Sequence, residues 1–247
     1  MEQMQTLKER LEAAALPYRE QEPLAGHTTF KIGGPAAVFV QPADEAQLCA
    51  AVALCRELAV PYYILGNGSN VLFGDKGWAG AVICLAGMKG GVRREGNTLT
   101  APAGLPLSAL CTAAWEAGLA GLEFAYGIPG TVGGAVYMNA GAYGGEMKDV
   151  LLSVRYLTAE GQIEEAPAEG LDLGYRHSIF ESNGGCILSA QVRLEAGDPA
   201  AIRARMDELM GRRRDKQPLD KPSAGSTFKR PVGAFAGALI EQCGLRG

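Results

Sequence analysis

Histidine, tryptophan and paired cysteines are scarce in this chain of 247 residues. There are two histidines and two tryptophans, and the six cysteines show no Cys-x-x-Cys spacing. Because zinc sites are usually built from clustered His and paired Cys, this pattern predicts no bound metal. The cysteines lie among small and branched apolar residues, which predicts buried free thiols rather than disulfides at positions 49, 55, 84, 111, 186 and 243.

An excess of positive charge and long apolar runs are also lacking. The 23 Lys and Arg residues against 27 Asp and Glu residues give a net charge of −4, so no nucleic-acid partner is predicted. No apolar run reaches about 18 residues, and the charged N-terminus is unlike a signal peptide, which predicts a cytoplasmic chain without a membrane partner. Nothing indicates a protein partner. The one basic cluster, GRRRDK at 211–216, is typical either of a solvated helix end or of a site for an anionic ligand.

Glycine, by contrast, is in excess. The chain has 34 glycines, roughly twice the usual share of about 7%. They cluster between apolar segments, above all in GNGSN at 66–70 and in GIPGTVGGAVYMNAGAYGGE at 127–146. Such clusters predict loops shaped around a ligand rather than a low-complexity tract.

Hydrophobic periodicity predicts an α+β chain in more than one layer. A strand at 36–42, a helix at 44–59 capped by Asp44 and a strand at 60–65 form a βαβ unit. GNGSN follows the carboxyl end of that second strand, where ligands of such units gather. The remaining pattern predicts helices near 7–15, 107–121, 198–216 and 234–244, hairpins at 92–101 and 150–166, and strands at 81–85 and 185–197.

The two glycine segments allow a functional and a structural interpretation. Backbone N–H groups freed of side chains hold diphosphates in many proteins, yet GNGSN is neither GxGxxG nor a Walker loop, and a tight structural loop is the alternative. The segment GIPGTVGGA at 127–135 either contacts an extended ligand from a second side or is an irregular connecting loop without a ligand.

Two further residues are candidates for chemistry. Arg176 lies among aromatic and apolar residues in GYRHSIF, where its planar guanidinium suits a substrate carboxylate or a structural salt bridge. Ser226 lies in SAGSTFKRP, where a serine usually forms a turn. No hydrolase triad accompanies Ser226, but a serine hydroxyl can act as a proton donor when its neighbours tune it.

Six motifs in order resemble the UDP-N-acetylenolpyruvoylglucosamine reductase family, the flavoenzymes of peptidoglycan precursor synthesis. They are HTTFKIGGPA (27–36), LGNGSNVL (65–72), EFAYGIPGTVGGAVYMNAGAYG (123–144), YRHSIF (175–180), PSAGSTFKRP (222–231) and AGALIEQCGLRG (236–247). The resemblance is to the family's shorter type. A flavin oxidase acting on alcohols or sugars is a weaker alternative, because GNGSNVL lacks the histidine that often tethers flavin in such enzymes.

The resemblance implies a two-lobed FAD-binding fold of the vanillyl-alcohol-oxidase/PCMH type, a βαβ lobe plus an antiparallel-sheet lobe, followed by an incomplete α/β substrate domain. The expected division is 1–85 and 86–200 for the two FAD-binding subdomains and 201–247 for the start of the substrate domain. The family's catalytic glutamate lies in a C-terminal segment that is expected to be missing here. The alternative is therefore a truncated, catalytically incompetent flavin-binding module with exposed apolar surface.

The resemblance also implies the reaction and its residues. NADPH reduces a non-covalent FAD, which then reduces the enolpyruvyl sugar nucleotide to UDP-N-acetylmuramate. Arg176 and Ser226 would be catalytic, and Tyr175, Lys216, Lys229 and Arg230 would bind substrate. A pyrophosphate pressing on 66–70 would explain its glycines, with the ring system along 127–135. The implied FAD-binding residues are Gly66, Asn67, Gly68, Ser69, Asn70, Ile128, Pro129, Gly130, Thr131, Gly133, Gly134, Ala135 and Asn139.

Overall fold

The computed structural model of the chain describes residues 2–88 and 90–245. The last two residues of the motif at 236–247 lie outside these ranges. The helices are α1 Glu2–Ala13, α2 Glu45–Glu57, α3 Leu107–Glu116, α4 Val132–Tyr137, α5 Pro199–Lys216 and α6 Ala236–Gln242. The strands are β1 Tyr18–Pro23, β2 Pro35–Val40, β3 Tyr62–Leu65, β4 Trp78–Cys84, β5 Arg93–Glu95, β6 Thr98–Pro102, β7 Leu119–Ala120, β8 Gly141–Ala142, β9 Gly145–Glu146, β10 Leu151–Leu157, β11 Ile163–Pro167, β12 Cys186–Arg193 and β13 Glu195–Ala196.

The first sheet has the strand order β1-β2-β4-β3. β2 and β3 both pair in parallel with β4, and α2 crosses between them, so the predicted βαβ unit is present with β4 inserted at its centre. The side chain of Asp44 accepts a hydrogen bond from the backbone N–H of Gln47, as the predicted cap requires. The strand β1 was not predicted, because its sequence YREQEP has no apolar alternation. An edge strand that leaves most residues exposed needs none.

The second sheet is antiparallel, with the order β11-β10-β12-β6-β5. Both predicted hairpins are confirmed, as β5–β6 and β10–β11. The helices α3, α4 and α5 pack in this half of the chain, and Asp198 caps α5 by accepting from the N–H groups of Ala200 and Ala201. Two further sheets have two strands each, β7–β13 and β8–β9, and the mixture of helices with these open sheets confirms the α+β class.

An arginine joins the two sheets. Arg56 of α2 donates to the carbonyl oxygens of Thr158 at 2.6 Å and Gly184 at 2.9 Å, both beyond the ends of strands in the second sheet. Its Nε donates to the hydroxyl of Tyr62 at 3.0 Å. These three acceptors hold the planar guanidinium and link α2, which packs beside the first sheet, to the second sheet. The expected division at residues 85 and 200 stays a prediction, and α5 begins at Pro199.

The thiols and the last helix depart partly from expectation. Cys55, Cys84, Cys111 and Cys186 are buried free thiols, as predicted, and burial raises the pKa of Cys55, Cys111 and Cys186 to about 12. Cys49 is half-buried. The prediction is wrong for Cys243, which is exposed because it follows α6, a seven-residue helix with no buried residue. Among the described residues, no helix has the length and apolarity needed to cross a bilayer.

Candidate flavin and substrate site

The segment 66–70 forms an unusual concentration of free backbone donors. It follows β3 directly, and none of its five N–H groups donates a hydrogen bond to another described residue. In contrast to these N–H groups, the carbonyl oxygen of Gly68 does have a protein partner, because it accepts a hydrogen bond from the N–H of Thr29 at 3.0 Å. Successive N–H groups without protein acceptors are the arrangement that binds phosphate oxygens.

The structure gives a different reason for the glycines of this segment from the one expected. A Cβ on Gly68 would lie 2.1 Å from the carbonyl oxygen of His27, and the φ of Gly68 is +60°. A Cβ on Gly66 would lie 2.6 Å from Oγ1 of Thr131. Glycine is therefore required at position 68, where other backbone presses on the segment, whereas at position 66 the close contact is with the side chain of Thr131. A ligand's pyrophosphate is not needed to explain it.

The second glycine segment, at 127–135, is not a simple loop. It contains the start of α4, capped by the Thr131 side chain, which accepts from the N–H of Gly134 at 3.3 Å. Gly133 lets α4 pack closely against Ala103, because a Cβ on Gly133 would lie only 2.7 Å from the Cβ of Ala103. A Cβ on Gly130 would lie 3.7 Å from Oγ of Ser69, so the structure brings the two glycine segments together.

Asn139 is completely buried, and its amide is used within the protein. Nδ2 donates to Oε2 of Glu146 at 2.7 Å and to the carbonyl oxygen of Gly174 at 3.0 Å. Oδ1 accepts from the backbone N–H of Lys148 at 2.9 Å. Both donor hydrogens are therefore committed to protein acceptors, and the expected contact between Asn139 and FAD stays a prediction.

Arg176 lies in a tight turn between Gly174 and His177, which exchange two backbone hydrogen bonds. Its φ is +56°, a strained value for a residue with a side chain. The guanidinium donates to the carbonyl oxygen of Gly141 at 3.3 Å and lies over the Tyr175 ring, 5.1 Å from its centroid. Within the described residues it forms no ion pair, so the salt-bridge alternative is not what the structure shows.

The segment 222–231 connects these parts. At one end the N–H of Ser223 donates to the carbonyl oxygen of Thr29 at 3.1 Å, beside the 66–70 segment. At the other end the N–H of Arg230 donates to the Tyr175 hydroxyl at 3.2 Å, beside Arg176. Ser226 lies between the two contacts, exposed and without a hydrogen bond to any other described residue.

The predicted substrate-binding cations are less closely tied to the site. Lys216 ends α5 and Lys229 precedes Arg230, and both are exposed without an ion pair in the described ranges. The Arg230 guanidinium lies over the Phe235 ring, 5.2 Å from its centroid. The structure brings Arg230 to Tyr175 through its backbone, whereas it records no contact between Lys216 and that turn.

Arg213 is a candidate site residue that the sequence pattern does not distinguish within the basic cluster at 211–216. Arg213 is half-buried on α5. Its side chain lies close to Gly127, since a Cβ added at Gly127 would be 3.2 Å from the Cδ of Arg213. Burial lowers the pKa of Arg213, an effect that nearby Tyr143 opposes. Three other arginines of α5, at positions 203, 205 and 212, pair with carboxylates, whereas Arg213 forms no ion pair within the described residues. Because charged residues surround α5, the sequence pattern could not show which arginine faces inward.

The fold is that of a flavin-binding protein, and the free N–H groups of 66–70 fit a phosphate-bearing ligand. Residues 36–166 match the family described as FAD binding domain. Among solved structures, the wild-type BBE-like 1 protein of Physcomitrella patens resembles the chain with a TM-score of 0.56 at 20% identity, covering 76% of this chain and 44% of that one. This likeness supports the expected FAD-binding fold of the vanillyl-alcohol-oxidase/PCMH type.

More specific comparisons identify the family. Residues 217–247 match the C-terminal domain family of UDP-N-acetylenolpyruvoylglucosamine reductase. The relative of that name from Clostridium perfringens is 49% identical, over 91% of this chain and 74% of its own length, and the one from Clostridioides difficile is 50% identical over 92% and 74%. The solved reductase from Thermus caldophilus has a TM-score of 0.78 and 34% identity, covering 94% of this chain and 81% of its own. The chain belongs to the UDP-N-acetylenolpyruvoylglucosamine reductase family and is a flavin-dependent oxidoreductase.

Proposed function

We propose that this chain uses FAD and NADPH to reduce UDP-N-acetylglucosamine enolpyruvate to UDP-N-acetylmuramate for peptidoglycan synthesis. The family supports the substrate class, and one observation supports the assignment of residues. The segment 222–231 contacts both the 66–70 side of the site and the turn of Arg176. The proposed reaction places the chain in the cytoplasm, where NADPH and nucleotide sugars are available.

The residues present fit an FAD diphosphate. The free N–H groups of 66–70 would donate to its phosphate oxygens, and the segment 128–135 would line the adjoining part of the cofactor. Arg213 would add a positive charge beside Gly127, where it has no carboxylate partner within the described ranges. When bound, FAD supplies the capacity to take hydride from NADPH and deliver it to the enolpyruvyl group.

Arg176 is the proposed electrostatic catalyst. Reduction of the enolpyruvyl group develops negative charge toward the substrate carboxylate, and a guanidinium without a carboxylate partner can stabilise that charge. The Gly141 carbonyl and the Tyr175 ring hold the guanidinium without neutralising it. The charge of Arg176 therefore remains available to the substrate.

Ser226 is the proposed proton donor for the neighbouring carbon. Its position between the contacts of Ser223 and Arg230 places it on the stretch that bridges the two sides of the site. Because its hydroxyl has no protein acceptor in the described part of the chain, it is free to donate to substrate. Tyr175, Lys216, Lys229 and Arg230 are proposed to bind the diphosphate and carboxylate of the sugar nucleotide.

A product assay tests this function. Purified, FAD-loaded chain is incubated with NADPH and either the enolpyruvyl substrate or UDP-N-acetylglucosamine, and NADPH absorbance and product mass are followed. We expect NADPH oxidation only with the enolpyruvyl substrate, together with a product heavier by two hydrogens. Equal NADPH oxidation with both compounds, or no reduced product, would contradict the proposal.

A further inference from the structure

The buried amide of Asn139 links two parts of the chain that both bear on Arg176. One Nδ2 hydrogen bond ends on Glu146 of β9, and the other ends on the carbonyl oxygen of Gly174, the first residue of the Arg176 turn. The Gly174 carbonyl also accepts the N–H of His177, which closes the turn. Asn139 therefore bonds to the same oxygen that defines the turn.

The second connection runs through the guanidinium. The oxygen that accepts from Arg176 belongs to Gly141 in β8, and β8 pairs with β9. Asn139 precedes β8 by two residues and bonds to both Glu146 and the N–H of Lys148. One buried side chain thus fixes the β8–β9 hairpin that receives the guanidinium and the turn from which the guanidinium projects.

The backbone of Arg176 makes such support necessary. A φ of +56° is unfavourable for an arginine and persists only where the surroundings hold it. The exposed side of the turn carries His177, whose ring nitrogens pair with Asp172 and Glu181, both near the surface. Asn139 is a fully buried contact on the inner side, where water cannot replace a lost hydrogen bond.

We propose that Asn139 is a positioning residue, which acts through Arg176 and holds its guanidinium where the substrate carboxylate binds. This inference rests on the proposed function, because it takes Arg176 as the group that acts on substrate. It gives Asn139 a role other than direct contact with FAD.

The test separates flavin binding from the substrate step. Asn139→Ala removes all three hydrogen bonds. Ser153→Ala is the control, because it removes the 2.6 Å hydrogen bond from a buried serine to Glu165 in the second sheet. Single-turnover measurements on FAD-loaded protein give the rate of flavin reduction by NADPH and the rate of reoxidation by the enolpyruvyl substrate. We expect Asn139→Ala to keep its flavin and its reduction rate while reoxidation slows about 100-fold, the effect of a small misplacement.

A double variant distinguishes positioning from general loosening. If Asn139 acts through Arg176, adding Asn139→Ala to Arg176→Ala costs no further rate, because the group being positioned is already gone. Multiplicative losses in the double variant would contradict the proposal. So would loss of flavin from Asn139→Ala, which would indicate direct cofactor contact, or an equal slowing in Ser153→Ala.

A second variant covers the case in which Asn139→Ala does not fold. Asn139→Asp keeps the volume and the acceptor for Lys148 but removes the donors to Glu146 and Gly174 when it is ionised. We expect its reoxidation rate to recover in part as pH falls, since the protonated acid regains one of the two donors. A pH profile parallel to wild type would overturn the inference. Wild-type protein that never reoxidises would overturn the proposed function and this inference together, whereas unaffected variants beside active wild type would overturn this inference alone.

Discussion

Replacing Gly68 with alanine tests whether protein packing, rather than a ligand, requires glycine in the 66–70 segment. The new Cβ would lie 2.1 Å from the His27 carbonyl oxygen and 2.8 Å from Cα of Thr28. Both atoms belong to backbone, so a segment of chain has to move. Positive φ costs a residue with a side chain about 1–2 kcal/mol, and overpacking typically adds about 1–3 kcal/mol. We therefore expect Gly68→Ala to lose about 2–5 kcal/mol of unfolding free energy.

The assay is urea unfolding of the protein with its flavin removed. Gly74→Ala is the matched control, because a Cβ on Gly74 meets nothing within 4 Å and its backbone requires no positive φ. That control is expected to change stability by less than about 0.5 kcal/mol. Unchanged stability of flavin-free Gly68→Ala, with a loss only of FAD affinity, would refute the packing explanation and restore the pyrophosphate as the reason for the glycine.

Three further substitutions test the assigned roles. Arg176→Ala is expected to retain flavin but slow its reoxidation by substrate about 10²–10³-fold, the usual effect of losing a transition-state charge contact, and retained turnover would remove Arg176 from the mechanism. Ser226→Ala is expected to slow the same step about 10²–10⁴-fold, and a loss of only a few-fold would indicate that water is the acid. Arg213→Met is expected to weaken FAD binding about tenfold in titrations. Arg214→Met is the control, because it alters an exposed neighbour and is expected to leave the FAD affinity unchanged. Equal affinities for the two variants would contradict the role of Arg213.

The elements that sequence predicted well are those with a strong local signal. The helix caps at Asp44 and Asp198 lie where expected, because a carboxylate before an apolar helical repeat satisfies free N–H groups without help from the rest of the fold. The hairpins carry turn residues between alternating strands. By contrast, β1 has no apolar pattern, and its pairing with β2 depends on the tertiary fold.

The candidate site was predicted only in part, because its geometry depends on contacts between distant segments. The free N–H groups of 66–70 agree with the glycine pattern, yet the reason for Gly68 lies in its approach to His27. The helix α4 within the second glycine segment was missed, since helix propensity counts glycine as unfavourable. Its cap and the close approach of Gly133 to Ala103 outweigh that preference.

The most direct test of the central claim follows the flavin itself without oxygen. The FAD-loaded chain is reduced with NADPH until its visible bands bleach, and the enolpyruvyl sugar nucleotide is then added, with UDP-N-acetylglucosamine as control. We predict that the oxidised bands return with the enolpyruvyl substrate alone. Bands that stay bleached after the substrate is added would contradict the proposed function.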